Sequence, residues 1–194
     1  DSEEIANVVH AHGGKSIITK SEHTNGTERI AEAAKSLEAD LFVNIQGDEP
    51  LVDPKHIESV IIEHAKHPEW DIIVPSLPIA RPEDPHIVKI VHDVNYRIIF
   101  LSRSVIPQPF NHRPGFFLKH LSVISFKPEA LQRYASLKPS PLQISESVEL
   151  LRALENGMVL GTVLLDGDSI SVDIKEDYVR AKMLMQSDEL RKLY

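Results

Sequence analysis

Two short stretches carry the acidic chemistry of this chain. The first is Val43-Asn44-Ile45-Gln46-Gly47-Asp48-Glu49-Pro50, where the apolar run Leu41, Phe42, Val43 and Ile45 halts at Gly-Asp-Glu-Pro. A β-branched run that ends in glycine and a carboxylate is how an open α/β sheet presents an acid at its ligand-binding edge. Gly47 permits close approach of a backbone or a phosphate, and Asp48 can hold a hard cation such as Mg²⁺. The same residue types also make an ordinary turn. The second stretch is the short strand end Ile170-Ser171-Val172-Asp173, placed just before a helix start. Asp173 reads either as an N-cap or as a second cation ligand that meets Asp48 across a cleft. Two such carboxylates can hold Mg²⁺ on a triphosphate, where the metal neutralises phosphate charge.

Three basic side chains and one loop extend the set. Arg103 ends an apolar run beside a Pro-rich segment, and its fork suits a carboxylate or phosphate; a surface ion pair is the competing reading. His120 leads a strand and is able to hydrogen-bond a sugar hydroxyl. Lys89 interrupts Ile87-Val88-Lys89-Ile90-Val91, at a parity that allows it to face solvent. The loop Glu22-His23-Thr24-Asn25-Gly26-Thr27-Glu28-Arg29 feeds an Ala- and Glu-rich helix, and helix starts favour anions and polar ligand edges. Thr27 is equally placed to be a plain N-cap. No Walker A, GxGxxG or GxSxG pattern occurs, and no His/Cys spacing suggests zinc.

The elements that must position these groups alternate. The pattern predicts a helix from Ser2 to Gly13-Gly14, a strand over Ser16–Thr19 and a helix over Glu28–Leu37. The strand Leu41–Gln46 follows, then a helix opening at Asp53-Pro54 and a strand over Ile72–Val74. That order argues for an α/β layered domain. Ile87–Val91 and Ile98–Leu101 then read as a hairpin, followed by a Pro-rich loop to Pro114 and a strand over His120–Phe126. Helices over Pro128–Tyr134 and Ser145–Glu155, a strand over Met158–Leu165 and a closing helix over 175–194 complete the chain.

Composition narrows the function classes. The 194 residues are 42% hydrophobic and 26% charged, which fits one soluble domain. A formal charge of −8 argues against a non-specific nucleic-acid binder. No cysteine is present, so disulfides and thiolate metal sites are excluded, as befits a cytoplasmic protein. No apolar run reaches membrane-span length and no signal peptide is visible.

Taken in order, the segments resemble the 3-deoxy-manno-octulosonate (Kdo) cytidylyltransferases. The matching pieces are His23–Arg29, Val43–Pro50, Val88–Val91, Ser102–Pro107, Lys119–Leu121, Pro139–Leu142 with Glu149 and Arg152, and Val172-Asp173 with Glu176-Asp177. The resemblance implies a Rossmann-like, nucleotide-diphospho-sugar transferase fold: a three-layer sandwich on a mixed, mainly parallel sheet, in a homodimer. It implies transfer of CMP from CTP to Kdo with release of pyrophosphate, for lipopolysaccharide synthesis. Asp48 and Asp173 become the Mg²⁺ ligands and, with Arg103, the catalytic residues. Asn25, Gly26, Thr27 and Gln46 fall to CTP, and Arg103, His120 and Glu149 to the sugar, with Lys89 also among the substrate-binding residues. Glu49 is left out as structural.

Three departures accompany the resemblance. The family's first strand and its triphosphate-binding loop have no counterpart here, and Asp1 matches a position after the family's second strand. Residues 1–194 are therefore expected to be a single cytidylyltransferase domain without its N-terminal phosphate-binding segment. Asn25 stands where the family has Ser, and Leu150 where it has Gln. The basic residue expected after Ile106-Pro107 is replaced by the stretch around Phe110, with His112 and Arg113 just beyond. The last two fall in the sugar half, which keeps open a modified sugar such as the 8-amino-8-deoxy form of Kdo, or a binding relative that has lost catalysis.

Overall fold

The computed structural model describes residues 2–167 and 169–190. The order is α1 (Glu3–Ala11), α2 (Gly26–Ala34), β1 (Phe42–Ile45), α3 (Pro54–Lys66), β2 (Ile72–Ile73), β3 (Ser76–Ile79), β4 (Lys89–His92) and β5 (Ile98–Ser102). It continues with β6 (Phe117–His120), β7 (Val123–Phe126), α4 (Pro128–Ser136), α5 (Pro141–Glu146), α6 (Leu151–Glu155), β8 (Leu160–Gly161) and α7 (Lys175–Ser187).

Two four-stranded sheets form, in the orders β1-β7-β2-β8 and β3-β6-β4-β5. The first is sandwiched between helices. Its side chains alternate between two cores, as the period of two in a strand requires. Ile72, Val74, Ile124 and Phe126 pack with Ala31 and Ala34 of α2 and Ala130, Leu131 and Tyr134 of α4. Ile73 and Val123 pack on the opposite face with Val60 of α3 and Trp70. Strand β8 can lie close to Trp70 only because residue 161 is glycine: a Cβ there would overlap the indole ring.

The expectation of a mainly parallel sheet is overturned. Among the described strands only β2 and β8 form a parallel ladder, beside an isolated parallel bridge between Ser76 and Leu164; β1 and β2 both pair antiparallel with β7, and the second sheet is antiparallel throughout. The cause is one inserted strand. The β1–α3–β2 crossover does keep β1 and β2 pointing the same way. The chain then leaves β6 in the second sheet, passes through Leu121-Ser122 and enters the first as β7, wedged between them. A parallel pair with a reversed strand between its members has no ladder of its own.

Other expectations shift locally. Residues 14–20 form no strand, and Ile17 and Ile18 remain exposed. The strand expected over His120–Phe126 divides into the end of β6 and all of β7. The helix expected over Ser145–Glu155 is cut at Ser147, whose φ of 51° is left-handed and stops α5 before α6 begins. Met158–Leu165 contracts to the two residues of β8 plus a bridge between Ser76 and Leu164. Ile170–Val172 joins no ladder. Helix α7 is described to Ser187; the expected continuation over 191–194, and Asp1, lie outside the described residues. Among the described residues no helix is long and apolar enough to cross a membrane.

Candidate active site

A cleft of about 1060 Å³ opens between the exit of β1, the start of α2, the ends of β5 and β6, the α5–α6 junction and the segment leading into α7. Asn25, Gly26, Gln46, Asp48, Arg103, His120, Glu149 and Asp173 all line it. Thr27 and Lys89 are fully buried and do not.

The two aspartates arrive by different routes. Asp48 follows β1 directly. Asp173 ends an extended segment whose Val172 amide donates to the Asp48 carbonyl at 2.9 Å. Asp173 does not cap α7. The cap position is Ile174, and Asp177 Oδ2 accepts the amides of Asp173 (3.2 Å) and Ile174 (3.1 Å). Its carboxylate is thereby left to the cleft. The Asp48 carboxyl is pushed above its ordinary acidity range, first by desolvation and further by the negative charges of Glu49 and Asp173. Among the described residues no three acidic or imidazole side chains cluster as a metal site. A cation held by Asp48 and Asp173 would need further oxygens from a ligand or from water.

The α2 entry is a polar knot. Asn25, not Thr27, is the N-cap: its side-chain oxygen accepts from the Glu28 amide at 2.9 Å. Glu28 in turn accepts from the amide and hydroxyl of Thr24, both at 3.0 Å, and from Arg152 at 2.7 Å. Arg152 is fully buried, stacks its guanidinium over Tyr134 at 4.8 Å and donates from Nε to Gln143 of α5 at 2.8 Å. One cation thus ties the loop at one side of the cleft to the helices at the other.

Glu149 sits above this knot. Burial raises its carboxyl pKa, against the opposing pull of Thr27 and Arg152. Thr27 Oγ1 and Glu149 Oε2 are both buried without a partner in hydrogen-bonding geometry. His120 is half-buried, and burial presses its imidazole down to about 4, helped by the nearby Arg103 charge. The ring is neutral at pH 7 and available as both donor and acceptor.

Arg103 lines the cleft, yet most of its fork is spent inside the protein. Nε donates to Glu146 O (2.8 Å), Nη1 to Pro85 O (3.0 Å) and His86 O (3.1 Å), and Nη2 to Ser147 O (3.2 Å). Four of its five N–H donors are thus used. The Arg103 amide and the Ser102 hydroxyl anchor on the Glu146 carboxylate at 2.9 and 2.7 Å. Lys89 explains itself in the same place: its ammonium donates to the carbonyls of Asp84 (2.9 Å), Ile87 (2.7 Å) and Arg103. It is a buried brace under Arg103. Strand parity left it solvent-facing as an alternative; the loop that folds over β4 removes that alternative.

Sequence reasoning missed Glu146 and the role of Glu28, whose partners are 43 and 124 positions away. Leu150 is among the residues around the cleft but is 1% exposed, its side chain packed in the core. Phe110 is 91% exposed and does not line the cleft; Arg113 turns away, to Ala80 O and Glu83.

The family model described as cytidylyltransferase matches residues 1–165. A 3-deoxy-manno-octulosonate cytidylyltransferase of Chlorobium limicola is 40% identical over 183 residues, covering 91% of this chain and 74% of that protein. Its counterpart from Rickettsia prowazekii is 40% identical over 187 residues, covering 93% and 74%. A solved structure of CMP:2-keto-3-deoxy-manno-octonic acid synthetase complexed with CTP superposes with a TM-score of 0.91 at 30% identity, over 96% of this chain and 78% of that one.

Proposed function

This chain belongs to the cytidylyltransferase family, and from that membership we propose that it transfers CMP from CTP to 3-deoxy-D-manno-octulosonate, releasing pyrophosphate. The observation that carries the reading is the meeting of Asp48 and Asp173 in one cleft with the α2 entry on one side and Glu149 and His120 on the other. In the reaction the anomeric hydroxyl oxygen of the sugar bonds to the α-phosphorus of CTP. The bond to the bridging oxygen breaks, pyrophosphate leaves with that electron pair, and the hydroxyl proton passes to solvent.

Two carboxylates lining one cleft, Asp48 with its proton affinity raised by desolvation and further by the charges of Glu49 and Asp173, make a donor set that fits a hard divalent cation. Asp48 and Asp173 would hold Mg²⁺, which when bound neutralises phosphate-oxygen charge. Asn25, Gly26, Gln46 and, from below, Thr27 shape the nucleotide side. Neutral His120 and the buried Glu149 carboxyl orient sugar hydroxyls, and Arg103 offers its remaining Nη2 N–H to the sugar carboxylate. Positioning and electrostatics supply the rate enhancement, since no covalent intermediate is required.

Leu150, which cannot hydrogen-bond a sugar hydroxyl, supports a second, narrower reading in which the sugar is a modified octulosonate. The assay that decides supplies CTP and Mg²⁺ with either Kdo or its 8-amino-8-deoxy analogue and follows the CMP-sugar by ³¹P NMR. Product with Kdo supports the main reading. Product with the analogue alone supports the second, and product with neither contradicts both.

The working unit we propose is a homodimer. Val94 and Ile99, 93% and 62% exposed around β5, support an apolar contact with a second copy. The nucleotide substrate argues for the cytoplasm as the compartment.

A further inference from the structure

The segment that delivers Asp173 has no sheet to hold it, since residues 169–173 join no ladder. It is fastened by separate attachments instead. His56 Nε2 donates to Asp166 O at 2.8 Å, and Lys119 Nζ to Ser169 O at 2.7 Å. The Val172 amide donates to Asp48 O. A further attachment is Glu49. Its carboxylate is 5% exposed and accepts from the Ser169 hydroxyl at 2.8 Å, the Ser171 hydroxyl at 3.4 Å and the Ser122 amide at 3.3 Å.

Glu49 is unusual in where it stands. It follows Asp48 in the chain, so its backbone moves with the first aspartate. Its side chain grips the two serines just ahead of the second. The Ser122 bond fixes the whole assembly to the start of β7, in the middle of the sheet. One buried carboxylate therefore joins β1, β7 and the Asp173 segment at a single point. A charge is costly to bury without partners, and all three partners here are the parts whose relative placement sets the gap between the two aspartates.

We propose that Glu49 is a positioning residue that sets the spacing of Asp48 and Asp173, and thereby the affinity of the site for its divalent cation. The proposal rests on the reading of those aspartates as the metal pair. Residues that orient metal ligands typically change affinity by about 10- to 100-fold when removed. Loss of Glu49 should therefore act on cation affinity and leave the chemistry of the filled site intact.

The substitutions Glu49→Ala and Glu49→Gln separate geometry from charge. Glutamine keeps the shape, accepts from Ser122 and Ser171 through its oxygen and donates to a turned Ser169 hydroxyl. We expect Glu49→Ala to raise the half-saturating Mg²⁺ at least about tenfold, with kcat recovered at saturating Mg²⁺. Glu49→Gln should stay within about threefold of the parent protein. In metal-free protein, amide hydrogen exchange across 169–173 should accelerate in Glu49→Ala, while β1 and β7 stay protected. Direct titration with Mn²⁺ in the presence of CTP should show the same loss of affinity. If Glu49→Ala fails to fold, the paired change Ser169→Ala with Ser171→Ala removes the same grip from the other side.

A kcat loss in Glu49→Ala with unchanged Mg²⁺ dependence and unchanged exchange overturns the proposal. So does a Glu49→Gln variant as impaired as Glu49→Ala. Failure of the underlying reading looks different: Asp173→Ala would then keep the parent's Mg²⁺ affinity, whatever Glu49 does.

Discussion

At the residue scale, His120 shows how burial decides what a titratable side chain can offer. Its neutral ring at pH 7 follows from desolvation, which outweighs the attraction of Glu49. In the unfolded chain the same imidazole takes up a proton near 6.5. Between about 6.5 and 4 the unfolded state therefore binds more protons at this position, and stability from His120 is lost as pH falls through that window. Above 6.5 both states are neutral and the contribution is flat. His120→Gln should thus lose less thermal stability than the parent protein between pH 7 and pH 5, which paired melting curves will measure. Parallel curves would contradict the depressed value. That Asp48 and Asp173 line the cleft was legible because a carboxylate at a strand or segment end is a local signal. The true partners of Arg103 were not, because backbone carbonyls leave no trace in a sequence.

At the element scale, Arg152 binds α6 to α2 and α5 from inside the core. Its ion pair with Glu28 leaves the arginine fully buried and the glutamate side chain 17% exposed. Breaking a buried pair by removing one partner typically costs about 3–5 kcal/mol, because the other charge is left uncompensated. Arg152→Met should destabilise by roughly that amount and loosen the Thr24–Gly26 loop. Adding Glu28→Gln should recover a good part of it. Denaturant titration of the single and double variants checks this, and simple additivity would mean the pair is not coupled. This tie was partly visible: both residues lie in the segments that carry the family resemblance, but only the fold brings them together. Helix breaks were harder to read. Ser145–Glu155 has an unbroken apolar stripe, and nothing in it signals the left-handed Ser147.

At the scale of the whole molecule, the layered α/β architecture was legible from alternating helix and strand patterns, and strand direction was not. Periodicity reports which face of a strand is buried and says nothing about which neighbour it pairs with. Strand β7 reads as an ordinary buried run, yet its insertion between β1 and β2 turns an expected parallel sheet into a mostly antiparallel one. The second sheet carries the proposed dimer surface. Sedimentation should report a mass of two chains, and Ile99→Asp should weaken that association at least about tenfold, in line with burying an unpaired charge in an apolar contact. A monomeric parent protein at all concentrations would remove the dimer from the account.

The central claim is that Asp48 and Asp173 together would hold one divalent cation for the nucleotide's phosphates. Pyrophosphate release from CTP and Kdo, followed across a Mg²⁺ titration, tests it most directly. The account predicts that Asp48→Ala and Asp173→Ala each lower kcat by about a thousandfold or more, consistent with loss of metal-ion charge stabilisation worth several kcal/mol, while melting as cooperatively as the parent protein. CMP-sugar formation by either variant at near-parent rates would contradict it.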